Sequence, residues 1–350
     1  MKIVIANAQV PFVSGGAENL ADDLHVALTS HGHKVELVRI PFKWYPPERI
    51  PEHILACRLF DLTESCGHQI DLLIGLKFPA YFIKHSNKVL WVLHQHRPAY
   101  DLWGTIFQDI PDSKGGLQIR STIINADNNF LPEAKKIFTI SKNVSNRLKK
   151  FNNIDSIPLY PPLHDPEKFI CHDSGDYIFY PSRISTLKRQ ELAVESMKYT
   201  KTNVRLLLAG RPDSEYNLQI LKKIIEDNKL FDRVKIITDM SDEEKIQLYS
   251  NCLGVLFIPY DEDYGYITLE AFYSRKPVIT ATNSGGPLEF VTNDIDGFVV
   301  PPDPKDIAKA MDHLYADKKG SKAMGESGYK RLCELNLSWD NVIETLLSCK

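Results

Sequence analysis

Two glutamates in the second half of the chain, Glu262 and Glu270, are separated by seven residues. Glu262 follows an apolar run that predicts a buried strand, and Glu270 falls about one turn into the helix predicted after it. Gly265 allows a tight turn between the two. One carboxylate can therefore face a sugar while the other faces a ribose. Because paired glutamates at this interval also occur by chance, the interpretation depends on their position between a strand and a helix.

Two basic residues flank the turn after another predicted strand: Arg183 follows the strand, and Lys188 begins a helix predicted over 188–198. Such positions lie at the carboxyl edge of a parallel sheet, so both side chains are expected to face a cleft. A diphosphate leaving group needs positive charge as its bond to a sugar breaks. Two cations and the helix N-termini can supply that charge without a metal. On their own, two basic residues near a turn are more often a solvated surface.

Two glycine-rich segments also follow predicted strands. The first, Ser-Gly-Gly-Ala-Glu at 14–18, opens a predicted helix whose free N–H groups can bind an anion. It is not the spaced Gly-x-Gly-x-x-Gly fingerprint of dinucleotide-binding proteins. The second, at 283–289, places Glu289 in the first turn of a predicted helix, where an acidic side chain is favourable even without a ligand. For both segments the alternative is a helix-starting turn that binds nothing.

Two histidines, His94 and His96, follow a strand predicted in the first half of the chain. A histidine at the carboxyl end of a strand can donate a hydrogen bond to substrate oxygens. No carboxylate lies close to the two histidines in sequence, which disfavours a metal site. A buried structural histidine is the main alternative.

Short apolar runs alternate with amphipathic stretches along the chain, and this predicts alternating strands and helices. Strands are predicted at 2–6, 34–40, 71–75, 88–93, 136–140, 177–180, 204–209, 234–238, 254–259, 277–281 and 297–300. Helices are predicted at 17–31, 142–151, 188–198, 217–228, 243–250 and 266–273, with more in the remainder. In the first helix Leu20, Leu24, Val26 and Leu28 are predicted to fall mostly on one apolar face. Such alternation indicates parallel sheets. The segment 157–166 has four prolines in ten residues, so it is predicted to be an interdomain linker rather than a helix or a central strand.

The composition excludes several classes of protein. The chain has 350 residues and a formal net charge of −3, with 42 basic and 45 acidic residues, so it lacks a strongly basic nucleic-acid footprint. None of its six cysteines, at 57, 66, 171, 252, 333 and 349, forms a Cys-x-x-Cys pair, which disfavours zinc knuckles and thioredoxin-like chemistry and favours a reduced, intracellular protein. The N-terminus is predicted to be a strand rather than a signal peptide, and no stretch approaches 18 apolar residues.

Taken together, these residues resemble the retaining glycosyltransferases of family 4, which have the GT-B fold. The basic pair, the two glutamates, the Gly-Gly-x-x-Glu loop and an Asp-Gly-Phe-Val-Val-Pro-Pro segment at 296–302 follow in the family's order. The resemblance implies two Rossmann-like domains facing across a cleft: an acceptor-side domain at 1–160 and a donor domain at 161–335. It also implies a helix at 336–350 that crosses back to the first domain. For that helix Ser338 can act as the cap, and the apolar stripe consists of Trp339, Val342, Ile343 and Leu346.

The resemblance also implies roles for individual residues. The basic pair holds the donor diphosphate, Glu270 holds the ribose, and Glu262 with the adjoining loop backbone holds the donor sugar. His94 matches a cleft histidine near that sugar, with His96 as the second choice. The residues expected to be catalytic are Glu262, His94, Arg183 and Lys188. Those expected to bind the donor are Gly15, Gly16, Arg183, Lys188, Gly210, Tyr264, Gly265, Tyr266 and Glu270, with no metal ligands.

The sequence departs from the family pattern at three positions. Arg189 stands where the family often has glycine after the lysine, and Tyr264 stands where phenylalanine is usual. The loop at 209–212 has one glycine where many members have two. None of these departures removes a charge that the chemistry requires.

The function that the resemblance implies is cytoplasmic, retaining and metal-independent transfer of a hexose from a GDP- or UDP-linked donor to a sugar or lipid-linked acceptor, without a cofactor. Bacterial-type surface polysaccharide or glycolipid synthesis is the expected setting. A group of basic residues could contact anionic lipid weakly on the inner side of a membrane, and its alternative interpretation is a solvated helix face. These residues are Lys135, Lys136, Lys142, Arg147, Lys149 and Lys150. A sugar-nucleotide epimerase of the same fold and a non-catalytic sugar-binding protein are the rival functions, and a dehydrogenase is disfavoured without the dinucleotide fingerprint.

Overall fold

A computed structural model describes residues 1–13, 15–173 and 175–348. Ser14 of the first glycine-rich segment and Cys349 lie outside the described residues. The chain divides into two compact units. The first comprises Met1–His164 together with the residues from Leu337 onward, and the second comprises Asp165–Asn336.

The first unit is built on a six-stranded parallel sheet. Its strands are β1 (Lys2–Gln9), β2 (Lys34–Pro41), β5 (Leu72–Gly75), β6 (Lys88–Val92), β7 (Lys136–Thr139) and β8 (Ile157–Pro158), with a small hairpin of β3 (Glu64–Ser65) and β4 (His68–Gln69). The order in the sheet is β2-β1-β5-β6-β7-β8. Because the chain moves from one side of β1 to the other, the strand order reverses between β1 and β5, and ligands bind at such points in parallel sheets.

The helices of the first unit are α1 (Gly16–Ser30), α2 (Ile50–Leu59), α3 (Lys114–Phe130) and α4 (Lys142–Asn152). Helix α1 buries Leu20, Leu24 and Leu28, but Val26 is exposed, which corrects the predicted apolar face. Residues two apart in a helix point to different sides, so Val26 cannot share a face with Leu24 and Leu28.

The proline-rich segment is only partly a linker, which corrects that prediction. Ile157 and Pro158 form β8, and they pair with β7 at the edge of the sheet. Proline is tolerated on an edge strand because its missing N–H can lie on the unpaired side. The division between the units falls later in the same segment, after His164.

The second unit has a six-stranded parallel sheet of the order β11-β10-β9-β12-β13-β14. Its strands are β9 (Tyr177–Pro181), β10 (Arg205–Ala209), β11 (Val234–Ile237), β12 (Gly254–Leu256), β13 (Val278–Ala281) and β14 (Gly297–Val300). Its helices are α5 (Gln190–Ser196), α6 (Glu215–Asp227), α7 (Asp242–Asn251), α8 (Tyr266–Tyr273), α9 (Pro304–Ala316) and α10 (Lys318–Glu334). This is a Rossmann-like order, and it reverses between β9 and β12.

The last helix, α11 (Trp339–Leu347), belongs to the first unit, where it packs near α1. Ser338 caps it by accepting a hydrogen bond from the Asn341 N–H at 3.3 Å. Trp339 meets Trp91 edge-on, with ring centroids 6.3 Å apart. The other three residues of the predicted stripe, Val342, Ile343 and Leu346, are buried, so the stripe is core packing.

Candidate active site

The carboxyl ends of β9 and β12 bring the predicted basic and acidic residues together in the second unit. Lys188 lies in the loop after β9, and Glu262 lies in the loop after β12. The Lys188 Nζ is 2.5 Å from the Glu262 Oε2, and both side chains are mostly buried. The same ammonium lies 5.5 Å from the centroid of the Phe257 ring. A cation and a carboxylate thus share the point where the strand order reverses.

Lys188 does not open the following helix, which corrects the predicted boundary. It ends a short 3-10 turn, Thr186–Lys188, and α5 begins at Gln190. Arg189 lies between them in the left-handed region, with φ of 54°, and this breaks the helical path.

Hydrogen bonds fix the turn that carries Lys188. The Tyr180 hydroxyl donates to the Lys188 carbonyl oxygen and accepts from the Ile258 N–H at 3.3 Å. Burial raises the pKa of Tyr180 above its usual value, so the phenol stays protonated and able to donate. The Tyr260 N–H donates to the Leu187 carbonyl oxygen at 2.8 Å. The turn after β9 is therefore bonded to the segment after β12.

Arg183, the other predicted cation, has a different environment. Its side chain is 60% exposed, and its guanidinium is 3.2 Å from Asp213. Gly210 lies nearby, where a Cβ would fall 2.1 Å from the Ser182 carbonyl oxygen. Gly210 is therefore required for the close approach of the loops after β9 and β10.

The loops after β12 and β13 are joined along their length. The Asp261 and Glu262 N–H groups donate to the carbonyl oxygens of Asn283 and Ser284 at 2.9 and 2.8 Å, and the Gly286 N–H donates to the Glu262 carbonyl at 2.7 Å. A Cβ at Gly286 would lie 2.3 Å from the Tyr264 carbonyl oxygen, so the second glycine permits this contact.

The predicted helix after these glycines is absent. Gly286–Glu289 is a single 3-10 turn of four residues. Pro287 is the second residue of this turn. Phe290 ends the turn, and its side chain is buried in the core. Glu289 thus lies at the end of a turn and not in the first turn of an α-helix.

Three of the seven residues between the glutamates, Tyr264, Gly265 and Tyr266, shape the start of α8. Gly265 has φ of 96°, a conformation that favours glycine, and precedes the helix as its N-cap. The Tyr264 ring is 2% exposed and packs against Tyr266 and Phe290, with centroids 4.9 and 5.3 Å apart. A ligand contact at Tyr264 would therefore involve its backbone.

Glu270 forms a second charged cluster with two residues of α7. The Lys245 ammonium and the Tyr249 hydroxyl each donate to one oxygen of the carboxylate, both at 2.5 Å. Burial and the neighbouring carboxylate raise the pKa of Tyr249 well above its usual value, so it remains a donor. Sequence analysis did not identify Lys245 and Tyr249. Their spacing of four residues, which puts them on one helical face, was the available signal.

In the first unit, the glycine segment lies where the strand order reverses between β1 and β5. Gly15 is the N-cap of α1, and Gly16 is its first residue. Glu18 in the first turn of α1 accepts from the Lys77 ammonium, after β5, at 3.3 Å. A Cβ at Gly15 would be 3.6 Å from the Glu18 carboxylate. The helix start thus already holds an ion pair.

The two histidines have contrasting environments. His94 is half-buried, and its Nδ1 donates to the Gln95 carbonyl oxygen at 2.7 Å. His96 is buried beside Phe42 and Phe78, and burial lowers its pKa to about 3, so its ring is neutral. His96 has the environment of a structural histidine.

A buried polar network holds the loop that carries both histidines. Gln95 donates to the Asp127 carboxylate at 3.2 Å, and the Tyr81 and Tyr100 hydroxyls also donate to it, at 2.9 and 2.5 Å. Burial raises the pKa of Asp127 to about 6. The network joins α3 to the segment after β6.

The basic face proposed for α4 and its neighbours is smaller than predicted. Arg147 is 4% exposed and its Nε lies 3.3 Å from Asp101, so it is part of the core of the first unit. Lys149 is paired with Asp155 at 2.9 Å.

Within the described ranges, no helix is long and apolar enough to cross a bilayer. Nor do those ranges contain a group of three or more His, Cys, Asp or Glu side chains placed to hold a metal ion.

Most of the second unit matches a known family. Residues 165–331 match the family model described as "Glycosyl transferases group 1". Human alpha-1,3/1,6-mannosyltransferase ALG2 is 30% identical over 209 residues, which cover 53% of this chain and 50% of that protein. The chain spans about half the length or less of the human, mouse and Dictyostelium discoideum mannosyltransferases that it matches.

Solved structures match the whole chain. Sucrose-phosphate synthase from Thermosynechococcus elongatus has a TM-score of 0.78 at 18% identity, over 99% of this chain and 98% of that chain. Anabaena HepE, in complex with UDP and glucose, has a TM-score of 0.72 at 17% identity, over 99% and 100%. At such identities the matches show the fold alone. They confirm the predicted α/β class with two Rossmann-like halves of the GT-B type.

Proposed function

We propose, since residues 165–331 match the model of the group 1 glycosyltransferases, that this chain transfers a sugar from a nucleotide-diphosphate donor to an acceptor hydroxyl with retention of configuration. In this reaction the bond from the anomeric carbon to the diphosphate oxygen breaks, and a bond from that carbon to the acceptor oxygen forms. The hydroxyl proton passes to the departing diphosphate oxygen on the same face of the sugar.

The observation that carries the proposal is the pair of Lys188 and Glu262, 2.5 Å apart where the strand order reverses. As the donor bond breaks, the diphosphate gains negative charge and the sugar gains positive charge. Lys188 supplies the cation for the first and Glu262 the carboxylate for the second. Charges that are already in place need little reorganisation, which is how preorganised sites lower a barrier.

Arg183 adds a second cation for the diphosphate. Its exposed side chain forms a surface pair with Asp213, and such pairs are worth little, so a diphosphate can displace that partner. With Lys188, it makes metal-independent transfer feasible.

Glu270 is proposed to bind the ribose. Each of its oxygens accepts one hydrogen bond, from Lys245 or from Tyr249. A carboxylate oxygen can accept two, so the ribose hydroxyls can donate to the remaining positions. The two α7 residues fix the carboxylate for that contact.

The remaining roles rest on the family resemblance. The Gly15–Gly16 loop is proposed to lie on the phosphate side and His94 near the donor sugar. ALG2 is a mannosyltransferase and the HepE structure contains UDP and glucose, so GDP-mannose and UDP-glucose are the first donors to test. The acceptor is proposed to be a sugar or a lipid-linked sugar in cytoplasmic glycan synthesis, with at most weak membrane contact.

A thermal-shift screen of nucleotide sugars tests the proposal. A donor at about 100 times its Kd should stabilise the protein by roughly 2.7 kcal/mol, and K188A, which lacks the diphosphate cation, should show a smaller shift. Arg211→Ala is the matched control, since this cation is 85% exposed and pairs with the exposed Asp239 at 3.6 Å. If no nucleotide sugar or nucleoside diphosphate shifts the melting temperature, the proposed function is wrong.

A further inference from the structure

Arg189 holds an unusual position directly after Lys188. Its backbone is left-handed, with φ of 54°, a conformation that glycine adopts without steric cost and arginine does not. Its side chain is half-buried. A bulky residue kept at such a position needs side-chain contacts that offset the strain.

The guanidinium of Arg189 makes three hydrogen bonds. It donates to the carbonyl oxygens of Ile258 and Pro259 at 2.7 and 2.5 Å, and to the Asn283 side-chain oxygen at 3.0 Å. All three acceptors are uncharged. The three bonds use the planar, rigid set of donors of the guanidinium, which a lysine ammonium cannot reproduce.

These three bonds join the loops that carry the candidate donor site. Arg189 itself belongs to the loop after β9, next to Lys188. Ile258 and Pro259 lie after β12, four and three residues before Glu262, and Asn283 lies after β13. The backbone bonds between these loops would survive a change at position 189, but the side-chain links would not.

We propose that Arg189 is a positioning residue, which sets the distance between Lys188 and Glu262 by tying their loops together. The expected effect of Arg189 on catalysis rests on the proposed function. The expected effect of Arg189 on the ion pair of Lys188 and Glu262 does not depend on that function.

The principal test is R189G, which relieves the left-handed backbone and removes all three side-chain links. Turnover at saturating donor should fall by about tenfold or more, with the donor KM changed by less than about threefold, because the defect is in geometry and not in ribose binding. N283A removes one exposed hydrogen bond, and its turnover should fall by about two- to threefold. R189K should resemble R189G.

Arg275 supplies the matched control. It is also a left-handed arginine, with φ of 51°, but its guanidinium pairs with Glu326 at 3.4 Å and lies over the Tyr329 ring, both on α10. R275G should keep wild-type turnover. If R189G also turns over within twofold of wild type, the positioning role is wrong.

A measurement without catalysis keeps the inference testable in every case. The coupling between Lys188 and Glu262, obtained from denaturant unfolding of K188A, E262A and the double variant, should shrink in the R189G background. If R189G does not fold, R189K serves in its place. An undiminished coupling overturns the inference. A wild-type protein that transfers no sugar while this coupling shrinks overturns only the proposed function.

Discussion

Replacing Glu270 by alanine should weaken binding of a nucleoside diphosphate, because the carboxylate is proposed to contact the ribose. Losing a charged hydrogen bond to the ribose costs at least about 1.5 kcal/mol, which is roughly a tenfold rise in Kd. The ribose does not react, so the contact is made equally in the ground and transition states. The donor KM should therefore rise while turnover changes little.

The structure adds a stability cost to the same variant. Glu270 is 7% exposed, and its removal leaves the Lys245 ammonium and the buried Tyr249 hydroxyl without their acceptor. Unpaired buried groups cost about 1–3 kcal/mol each. Lys245 keeps 29% exposure and can reach water, so the total should be on the order of 2 kcal/mol.

Calorimetry with nucleoside diphosphate separates binding from folding. Lys245→Met is the matched control: it breaks the cluster but keeps the carboxylate, so it should lower stability and affect nucleotide affinity less than E270A. E262A should hardly change that affinity and should lower turnover, since its partner is the sugar. If E270A and E262A both bind the nucleotide like wild type, the two glutamates do not form the donor site. If K245M weakens binding as much as E270A, the loss comes from a disrupted cluster and the ribose contact is wrong.

The remaining predictions concern charge at other points. K188A should slow transfer by roughly 10²–10³, the loss seen when one preorganised charge-stabilising donor is removed, and near-normal turnover at saturating donor would contradict its role. A chelator should leave wild-type activity intact, and a strict Mg²⁺ requirement would show that side chains do not suffice. His94→Ala should lower turnover with the fold retained, whereas His96→Ala should mainly lower the melting temperature because it leaves a cavity beside two phenylalanines; the reverse pattern would assign the site to His96. Asp127 has a folded pKa of about 6 against an ordinary 3.8, so its contribution to stability is complete below pH 3.8 and falls by at most about 3 kcal/mol as the pH rises through 6. Denaturant unfolding from pH 4.5 to 7.5 should show this decline in wild type and a flatter profile in D127N, and equal profiles would contradict it.

Much of the fold was predictable because apolar runs of four to six residues recur with helical stretches between them. The order of the strands was not, since it depends on which runs pair across the sheet. Helices α2 and α3 were not predicted, because their apolar residues do not follow a clear helical pattern. The two-residue edge strand β8 was not predicted, because the four prolines of its segment favoured a linker.

The candidate site was predictable in residue types but not in partners. Lys188 and Glu262 are 74 residues apart, and only the pairing of β9 with β12 brings their loops together. Lys245 is absent from every motif because its role depends on how α7 packs beside α8. Arg189 was identified as a departure from the family pattern, but only its backbone angle and three acceptors show why an arginine can occupy a glycine position.

The central claim is tested most directly by following a nucleotide sugar with the wild-type protein by proton nuclear magnetic resonance, with and without a sugar acceptor. We expect release of the nucleoside diphosphate and a new glycosidic signal with the donor's anomeric configuration. Both should depend on the acceptor and be nearly lost in K188A. Conversion of the nucleotide sugar into its epimer without release, an inverted product, or an unaffected K188A variant would each contradict it.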